Sequence, residues 1–149
     1  MRTSLMLIVF LALAGAVGGA ASSQRATTGE AKAALSVRSS AYGRILFDGR
    51  GKALYAFTRD ARGRSVCTGP CAAAWPPFVV RDRPQPGTGI SAKLVGTTRR
   101  PDGKLQVTYA GRPLYYYVGD RKPGQVLCQN VSEFGGLWLV IRPSGALVR

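Results

Sequence analysis

A ten-residue segment that the chain contains twice constrains the fold more than any other feature of the sequence. "GKALYAFTRD" occupies residues 51–60 and "GRPLYYYVGD" occupies residues 111–120, an offset of 60 residues. Gly, Leu, Tyr and Asp recur in place. Offsets of 61 and 63 residues relate the next pairs along the chain, Cys67 with Cys128 and Trp75 with Trp138. The chain therefore contains a duplicated supersecondary unit, and we expect the two units to pack on each other around one core.

In each copy, the aromatic residues of the motif lie two positions apart. Residues two apart in a β-strand point to the same side of the sheet. Each copy therefore presents two rings on one face: Tyr55 with Phe57, and Tyr115 with Tyr117. The Leu before each Tyr points the other way, which indicates strands that are covered on both sides. We interpret the rings as core residues; the alternative is an exposed platform on which sugars or nucleotide bases stack beside Arg and Lys.

Each motif ends in an aspartate, three residues after its second ring. Asp60 lies in "TRDARG" and Asp120 lies in "VGDRKPG", and both segments are typical of turns. An Asp side chain in a turn accepts hydrogen bonds from nearby backbone N–H groups. We therefore expect Asp60 and Asp120 to fix their turns. A hydrolase that used both carboxylates is a further hypothesis, and it requires them to lie within about 5–10 Å of each other.

The rest of the chain has the pattern of an antiparallel β protein. Short apolar runs alternate with Gly, Pro and Asp, and no stretch keeps helical periodicity for ten residues. We predict an all-β fold: a single domain of two tandem antiparallel β units with about four short strands each. One short helical or turn segment is expected around Cys71–Trp75. The predicted β domain covers residues 41–149, with repeat one at 42–82 and repeat two at 94–142.

The N-terminal segment has the order of a secretory signal peptide, with a basic start, an apolar run and then small residues. We assign residues 1–21 to a cleaved signal peptide and residues 22–40 to a flexible lead-in, with a candidate short strand near Val37. The apolar run is about half as long as a membrane-spanning helix, so no transmembrane segment is expected after cleavage. The nearest Cys is Cys67, too distant for lipid attachment. We therefore expect an exported extracellular or periplasmic protein that is not lipid-anchored.

The balance of charged residues is strongly basic. The chain carries 21 Lys and Arg against 7 Asp and Glu, a formal net charge of +14, spread along the sequence without a long block of like charges. Such a protein attracts polyanions, for example cell-wall polymers or anionic lipid head groups; no specific nucleic acid is expected. The chain has no His, which excludes Ser-His-Asp and Cys-His catalysis, His-ligated zinc and a c-type haem. No cofactor or metal is expected.

Three cysteines follow the predicted signal peptide: Cys67, Cys71 and Cys128. The first two flank a Thr-Gly-Pro turn that can bring their Cα atoms within disulfide range, and an oxidising compartment favours the bond. We predict a Cys67–Cys71 disulfide with Cys128 as a free thiol; a bond from Cys128 to either of the others is the alternative. A thiol–disulfide or metal-linked redox function is a second functional hypothesis, although the spacing is not the Cys-x-x-Cys of thiol–disulfide oxidoreductases.

Four segments resemble those of the bacterial secreted lipoprotein-repeat family, known for a Tyr-x-[Phe/Trp/Tyr]-x-x-Asp motif: "GKALYAFTRD", "CTGPCAAAWPPF", "GRPLYYYVGDRKPG" and "FGGLW". The resemblance covers about Tyr42 to Pro143. It places the signature on two sets of residues: Tyr55, Phe57 and Asp60, then Tyr115, Tyr117 and Asp120. The resemblance implies an exported bacterial protein of unassigned activity, with no catalytic residue to carry over. This chain departs from many members in lacking the lipid-attachment Cys and in having Cys128.

The functional expectation that follows is a non-catalytic one. The absence of His and of a recognisable catalytic constellation argues against an enzyme. The positive charge and the export signal favour a structural or binding module of the cell envelope or the extracellular space, with affinity for anionic envelope polymers.

Overall fold

The structure is a computed structural model, and it describes residues 34–149. The predicted signal peptide, residues 1–21, and residues 22–33 of the predicted lead-in lie outside the described residues. Within residues 34–149 the fold is all-β, as the sequence predicts, with its strands arranged in three small sheets.

The strands follow the duplication of the sequence. Repeat one contributes four strands and a short helix: β1 (Ala34–Ser40), β2 (Gly43–Asp48), β3 (Tyr55–Phe57), α1 (Pro70–Ala74) and β4 (Val79–Val80). The connection between the repeats contains a two-residue strand and one 3-10 turn: β5 (Gln85–Pro86) and Ala92–Leu94. Repeat two contributes five strands: β6 (Val95–Arg99), β7 (Leu105–Tyr109), β8 (Arg112–Pro113), β9 (Val131–Glu133) and β10 (Gly136–Val140). Helix α1 confirms the short helical segment expected near Cys71.

The predicted lead-in ends too late in the sequence. Residues 34–40 form β1, which pairs with β2 over six residue pairs and also with β5, so the folded domain includes Ala34 and does not start at residue 41. Leu35 in this strand is completely buried. Ser36, one of the small polar residues that suggested flexibility, lies on the face opposite Leu35 and is compatible with a strand because one face of an antiparallel sheet can meet water.

The two repeats exchange strands. Strand β3 of repeat one pairs with β10 of repeat two, with Phe57 opposite Trp138 and Tyr55 opposite Val140. The corresponding segment of repeat two bonds to the segment around the Trp of repeat one: the N–H of Tyr116 donates to the carbonyl of Pro76 at 2.8 Å. The motif strand of repeat one therefore has its sheet partner in repeat two.

A pair of backbone hydrogen bonds marks the centre of this exchange. Tyr55 and Tyr115 donate their N–H groups to each other's carbonyl oxygens, both at 2.9 Å. On either side of this pair, equivalent bonds recur: Thr58 N–H donates to Leu137 O at 3.0 Å, and Val118 N–H donates to Ala74 O at 3.2 Å. The repeats are thus related by an approximate two-fold axis that passes between Tyr55 and Tyr115.

Apolar side chains cover both faces of the central strands. One cluster is mainly aromatic and also contains the disulfide: Ile45, Phe47, Tyr55, Phe57, Cys67, Cys71, Trp75, Tyr115, Trp138 and Val140 among others. The second cluster is mainly aliphatic: Leu35, Leu46, Leu54, Phe78, Val95, Val107, Leu114 and Ile141 among others. Tyr55 belongs to the first cluster and its neighbour Leu54 to the second, and both are completely buried. The strands are therefore covered on both sides, as the sequence pattern indicates.

Candidate functional site

The tyrosine of each motif bonds to the aspartate of the other repeat. Tyr55 Oη donates to Asp120 Oδ2 at 2.7 Å, and Tyr115 Oη donates to Asp60 Oδ2 at 2.7 Å. We call these two contacts the cross-repeat pairs. Both tyrosines are completely buried, so each bond satisfies a hydroxyl that has no access to water. The Tyr and Asp that one copy of the motif places five residues apart therefore do not bond to each other; each bonds to a residue of the other copy.

The second oxygen of each carboxylate fixes the loop that follows it. Asp60 Oδ1 accepts the N–H of Val66 at 2.8 Å, and Asp120 Oδ1 accepts the N–H of Leu127 at 2.9 Å. Carboxylates in turns commonly accept backbone N–H groups in this way. Each aspartate thus fixes its own loop, as expected from the sequence, and also holds the opposite repeat.

Burial shifts the pKa of Tyr55, Tyr115 and Asp60. It raises the pKa of Tyr55 and of Tyr115 well above that of a free tyrosine, and the neighbouring carboxylates raise both further. Burial also raises the pKa of Asp60, and this effect is opposed by the hydrogen bonds from Tyr115 and Val66 and by the charge of Arg100. The tyrosines are therefore hydrogen-bond donors and not phenolates at physiological pH.

A buried arginine, Arg100, connects the cross-repeat pair of Tyr115 and Asp60 to the disulfide region. Arg100 donates from Nη1 to Ser65 Oγ at 2.6 Å and to Gln106 Oε1 at 2.7 Å, and from Nη2 to the carbonyl of Cys67 at 2.7 Å. Ser65 Oγ lies 2.6 Å from Tyr115 Oη. This network was missed in the sequence analysis, because Arg100 stands in a basic turn segment that gives no sign of burial.

Four rings of the aromatic cluster form a continuous stack. Phe57 lies on Trp138 with centroids 4.2 Å apart, Trp138 lies on Trp75 at 4.0 Å with planes 2° apart, and Trp75 contacts Tyr117 at 4.8 Å and 37°. We call these four residues the aromatic stack. The approximate two-fold axis relates its two halves, Phe57 with Trp138 to Tyr117 with Trp75.

The first tyrosine of each motif contacts one of the two indoles of the aromatic stack edge-on. Tyr55 meets Trp75 edge-on at 5.2 Å, and Tyr115 meets Trp138 edge-on at 5.2 Å. Trp75 Nε1 donates to Glu133 Oε2 at 2.8 Å. Tyr55, Phe57 and Tyr115 are thus core residues and not an exposed stacking platform, whereas Tyr117 is half-buried.

Cys67 and Cys71 form the expected disulfide, with Cα atoms 5.3 Å apart. Cys128 is a free, half-buried thiol, so the alternative bond from Cys128 to the other cysteines is wrong. Burial raises the pKa of Cys128, and its hydrogen bond with Tyr117 lowers it in part. A raised pKa leaves less thiolate, the reactive form, at neutral pH.

Removal of this disulfide has a modest expected cost. The bond closes a loop with a sequence separation of 4, so the chain-entropy argument gives a loss of about 2 kcal/mol in unfolding free energy for the Cys67→Ser, Cys71→Ser double variant. Urea unfolding of the two proteins measures the difference. Cys128→Ser is the matched control and is expected to cost less, because Cys128 closes no loop. Equal losses for the two changes would contradict the assignment.

The two motif carboxylates are held separately. Within residues 34–149, no hydrogen bond joins Asp60 to Asp120, and each is bound by a different tyrosine and a different backbone N–H. Residues 34–149 contain no group of three or more His, Cys, Asp or Glu arranged to hold a metal ion. No helix among them is long and apolar enough to cross a membrane.

Comparison with known proteins gives one match. A family model described as a secreted repeat of unknown function matches twice, at residues 36–79 and 96–142, which together are more than half of the 149 residues. The searches of curated proteins and of solved structures found no match. Each match contains one complete Tyr-x-aromatic-x-x-Asp motif. The chain therefore belongs to this family of secreted repeats, the family that its sequence resembles, and has two copies of the repeat.

Proposed function

We propose that the protein is a non-catalytic binding module that attaches to anionic polymers of the cell envelope. Its motif residues support this because they are used inside the fold: the hydroxyls of Tyr55 and Tyr115 and the carboxylates of Asp60 and Asp120 bind one another and the backbone. The exposed surface can therefore attract anionic partners through its positive charge, since the chain has a formal net charge of +14.

The observation that carries the proposal is a pair of equivalent basic loops. We define them as residues 59–64 and 119–124, each of which contains a motif Asp. The first loop is held by a hydrogen bond from Gly63 N–H to Gly111 O at 2.7 Å, and the second by the equivalent bond from Gly124 N–H to Gly51 O at 2.8 Å.

Exposed cations lie on both loops: Arg59, Arg62 and Arg64 on the first, Arg121 and Lys122 on the second. Each loop is fixed by backbone hydrogen bonds and by its Asp, so these cations are displayed from ordered segments. Fixed segments lose less conformational entropy on binding than flexible ones do. We expect a polymer with repeated negative charges to bind these cations.

Salt-dependent retention on an immobilised anionic polymer tests this proposal. We expect binding to weaken steeply as ionic strength rises, because exposed charges are screened within a Debye length. Each Lys or Arg near an anionic surface contributes about 1 kcal/mol. The Arg64→Glu, Lys122→Glu variant should therefore lose about 2 kcal/mol or more, roughly 30-fold in Kd.

The matched control is the Lys93→Glu, Lys104→Glu variant. It changes the net charge by the same amount at two exposed positions outside the basic loops. It is expected to weaken binding much less than the change in the loops. Binding that ignores ionic strength, or equal losses in the two variants, would contradict a charge-driven site at the loops.

The second hypothesis, a thiol-based or metal-linked redox accessory protein, has weaker support. Cys67 and Cys71 are bonded to each other and almost completely buried, and the pKa of Cys128 is raised. Counting free thiols in the folded protein before and after mild reduction distinguishes the two functions. One free thiol before reduction and a disulfide that resists small reductants favour the binding module.

A further inference from the structure

The hairpin of β9 and β10 displays an aromatic side chain at its tip. Its strands pair Glu133 with Gly136, so the turn between them has only two residues, Phe134 and Gly135. Phe134 is 41% exposed. Most of the motif rings, by contrast, are buried in the core. Phe134 is therefore an aromatic side chain that a ligand can contact.

The backbone conformation of Phe134 is one that disfavours this residue type. Its φ is +53° and the φ of Gly135 is +77°, the left-handed values that a two-residue type I′ turn requires. Asn, Asp and Gly adopt such values readily, whereas a bulky side chain there is strained. Strained residues persist only where the surrounding structure holds them, and they cluster at functional sites. The needs of the turn therefore do not explain why Phe134 is there.

Contacts with the first basic loop hold this tip in place. Arg59 Nη1 donates to the carbonyl of Phe134 at 3.0 Å. Gly136 lies so close to both Phe57 and Arg59 that a Cβ atom on it would stand 2.7 Å from a carbon of the Phe57 ring and 2.8 Å from Arg59 Cγ. The neighbouring carboxylate, that of Glu133, accepts an indole N–H of the aromatic stack at 2.8 Å. Phe134 is thus displayed from a fixed segment next to a cation.

We infer that the anionic polymer is an acidic polysaccharide, and that Phe134 stacks on one of its sugar rings while the first basic loop binds its negative groups. This inference rests on the proposed function, since it names the class of polymer that the protein binds. One face of a pyranose ring presents mainly C–H groups, and such faces pack on aromatic rings. Arg59, Arg62 and Arg64 supply the positive charge, and guanidinium groups match carboxylates and phosphates in geometry.

Replacement of Phe134 by Asn separates the role of the ring from that of the turn. Asn tolerates positive φ, so Phe134→Asn should keep the fold and unfold at the same or a higher urea concentration than the parent. Kd is then measured for two polymers: hyaluronan, whose carboxylates are attached to sugar rings, and polyacrylate, which has carboxylates and no rings. We expect Phe134→Asn to weaken binding to hyaluronan about 10-fold and to leave binding to polyacrylate unchanged. Phe134→Tyr keeps the ring and should bind both polymers as the parent does.

Tyr42→Asn is the matched control, because Tyr42 is 37% exposed and lies in a different hairpin, between β1 and β2. It should change neither affinity. Three results would each overturn the stacking of a sugar on Phe134 and leave a charge-driven attachment in place: an unchanged affinity of Phe134→Asn for hyaluronan, equal losses for the two polymers, or an equal loss for Tyr42→Asn.

Two further outcomes are distinct from these. A larger loss for single-stranded DNA than for hyaluronan in Phe134→Asn would overturn the inference in favour of a nucleic acid, whose bases also stack on aromatic rings. A parent protein that binds neither hyaluronan nor polyacrylate would overturn the proposed function together with this inference.

Discussion

We expect that neither repeat folds when it is produced without the other. We expect chains that contain residues 34–90 or residues 91–149 to show no cooperative unfolding transition in urea and no native β-sheet signal in circular dichroism. Each lacks the partner strand of its motif, since β3 pairs with β10 of the other repeat. Each also leaves a buried Tyr hydroxyl and a turn carboxylate without their partners, which is costly away from water.

The control keeps both repeats and removes only the covalent connection. A protease site inserted between Ser91 and Ala92, two exposed residues, allows the folded chain to be cut after purification. The two fragments should stay together in size-exclusion chromatography and unfold as one unit. A single repeat that unfolds cooperatively by itself would show that the exchange of strands is not required for folding.

Trp138→Ala should strongly destabilise the fold. The indole is completely buried and lies between Phe57 and Trp75, with Tyr115 edge-on to it. Replacing a buried Trp by Ala costs about 3–5 kcal/mol. That is a large part of the roughly 5–15 kcal/mol by which typical domains are stable.

Urea unfolding of Trp138→Ala measures this loss, and Val118→Ala is its control. Val118 lies in the neighbouring segment but is 52% exposed, so its truncation should change the unfolding free energy by no more than about 0.5 kcal/mol. If the two substitutions destabilise the protein equally, the stack does not have the central role in the core that its geometry indicates.

Alternation and spacing predicted the local structure of the first copy of the motif, where Tyr55–Phe57 form a strand. In the second copy the strand ends at Pro113, and Tyr115 makes only isolated bridges, so the predicted strand through Tyr117 is wrong there. Two rings at a spacing of two, with Leu on the opposite face, predict a strand covered on both sides, and Tyr55 and Leu54 do belong to different core clusters. The turn position of Asp60 and the Cys67–Cys71 disulfide follow from local sequence in the same way. These features depend on residues close together in the chain.

The contacts between repeats could not be predicted in this way. The motif places Tyr55 five residues before Asp60, yet Tyr55 bonds to Asp120, because the exchange of strands puts each Tyr beside the other repeat. Arg100 was missed for a similar reason, since its partners Ser65 and the carbonyl of Cys67 belong to the other repeat. Most of strand β1 was assigned to the flexible lead-in, because its residues are mainly small and polar and only Leu35 among them is fully buried.

A double-mutant cycle tests most directly whether the motif joins the two repeats. Tyr55→Phe and Asp120→Asn are made singly and together, and the unfolding free energies give their coupling. We predict a coupling of about 1–3 kcal/mol for this cross-repeat pair, and additivity within about 0.5 kcal/mol for Tyr55→Phe with Asp60→Asn, the aspartate of the same copy. A larger coupling between Tyr55 and Asp60 than between Tyr55 and Asp120 would contradict the account.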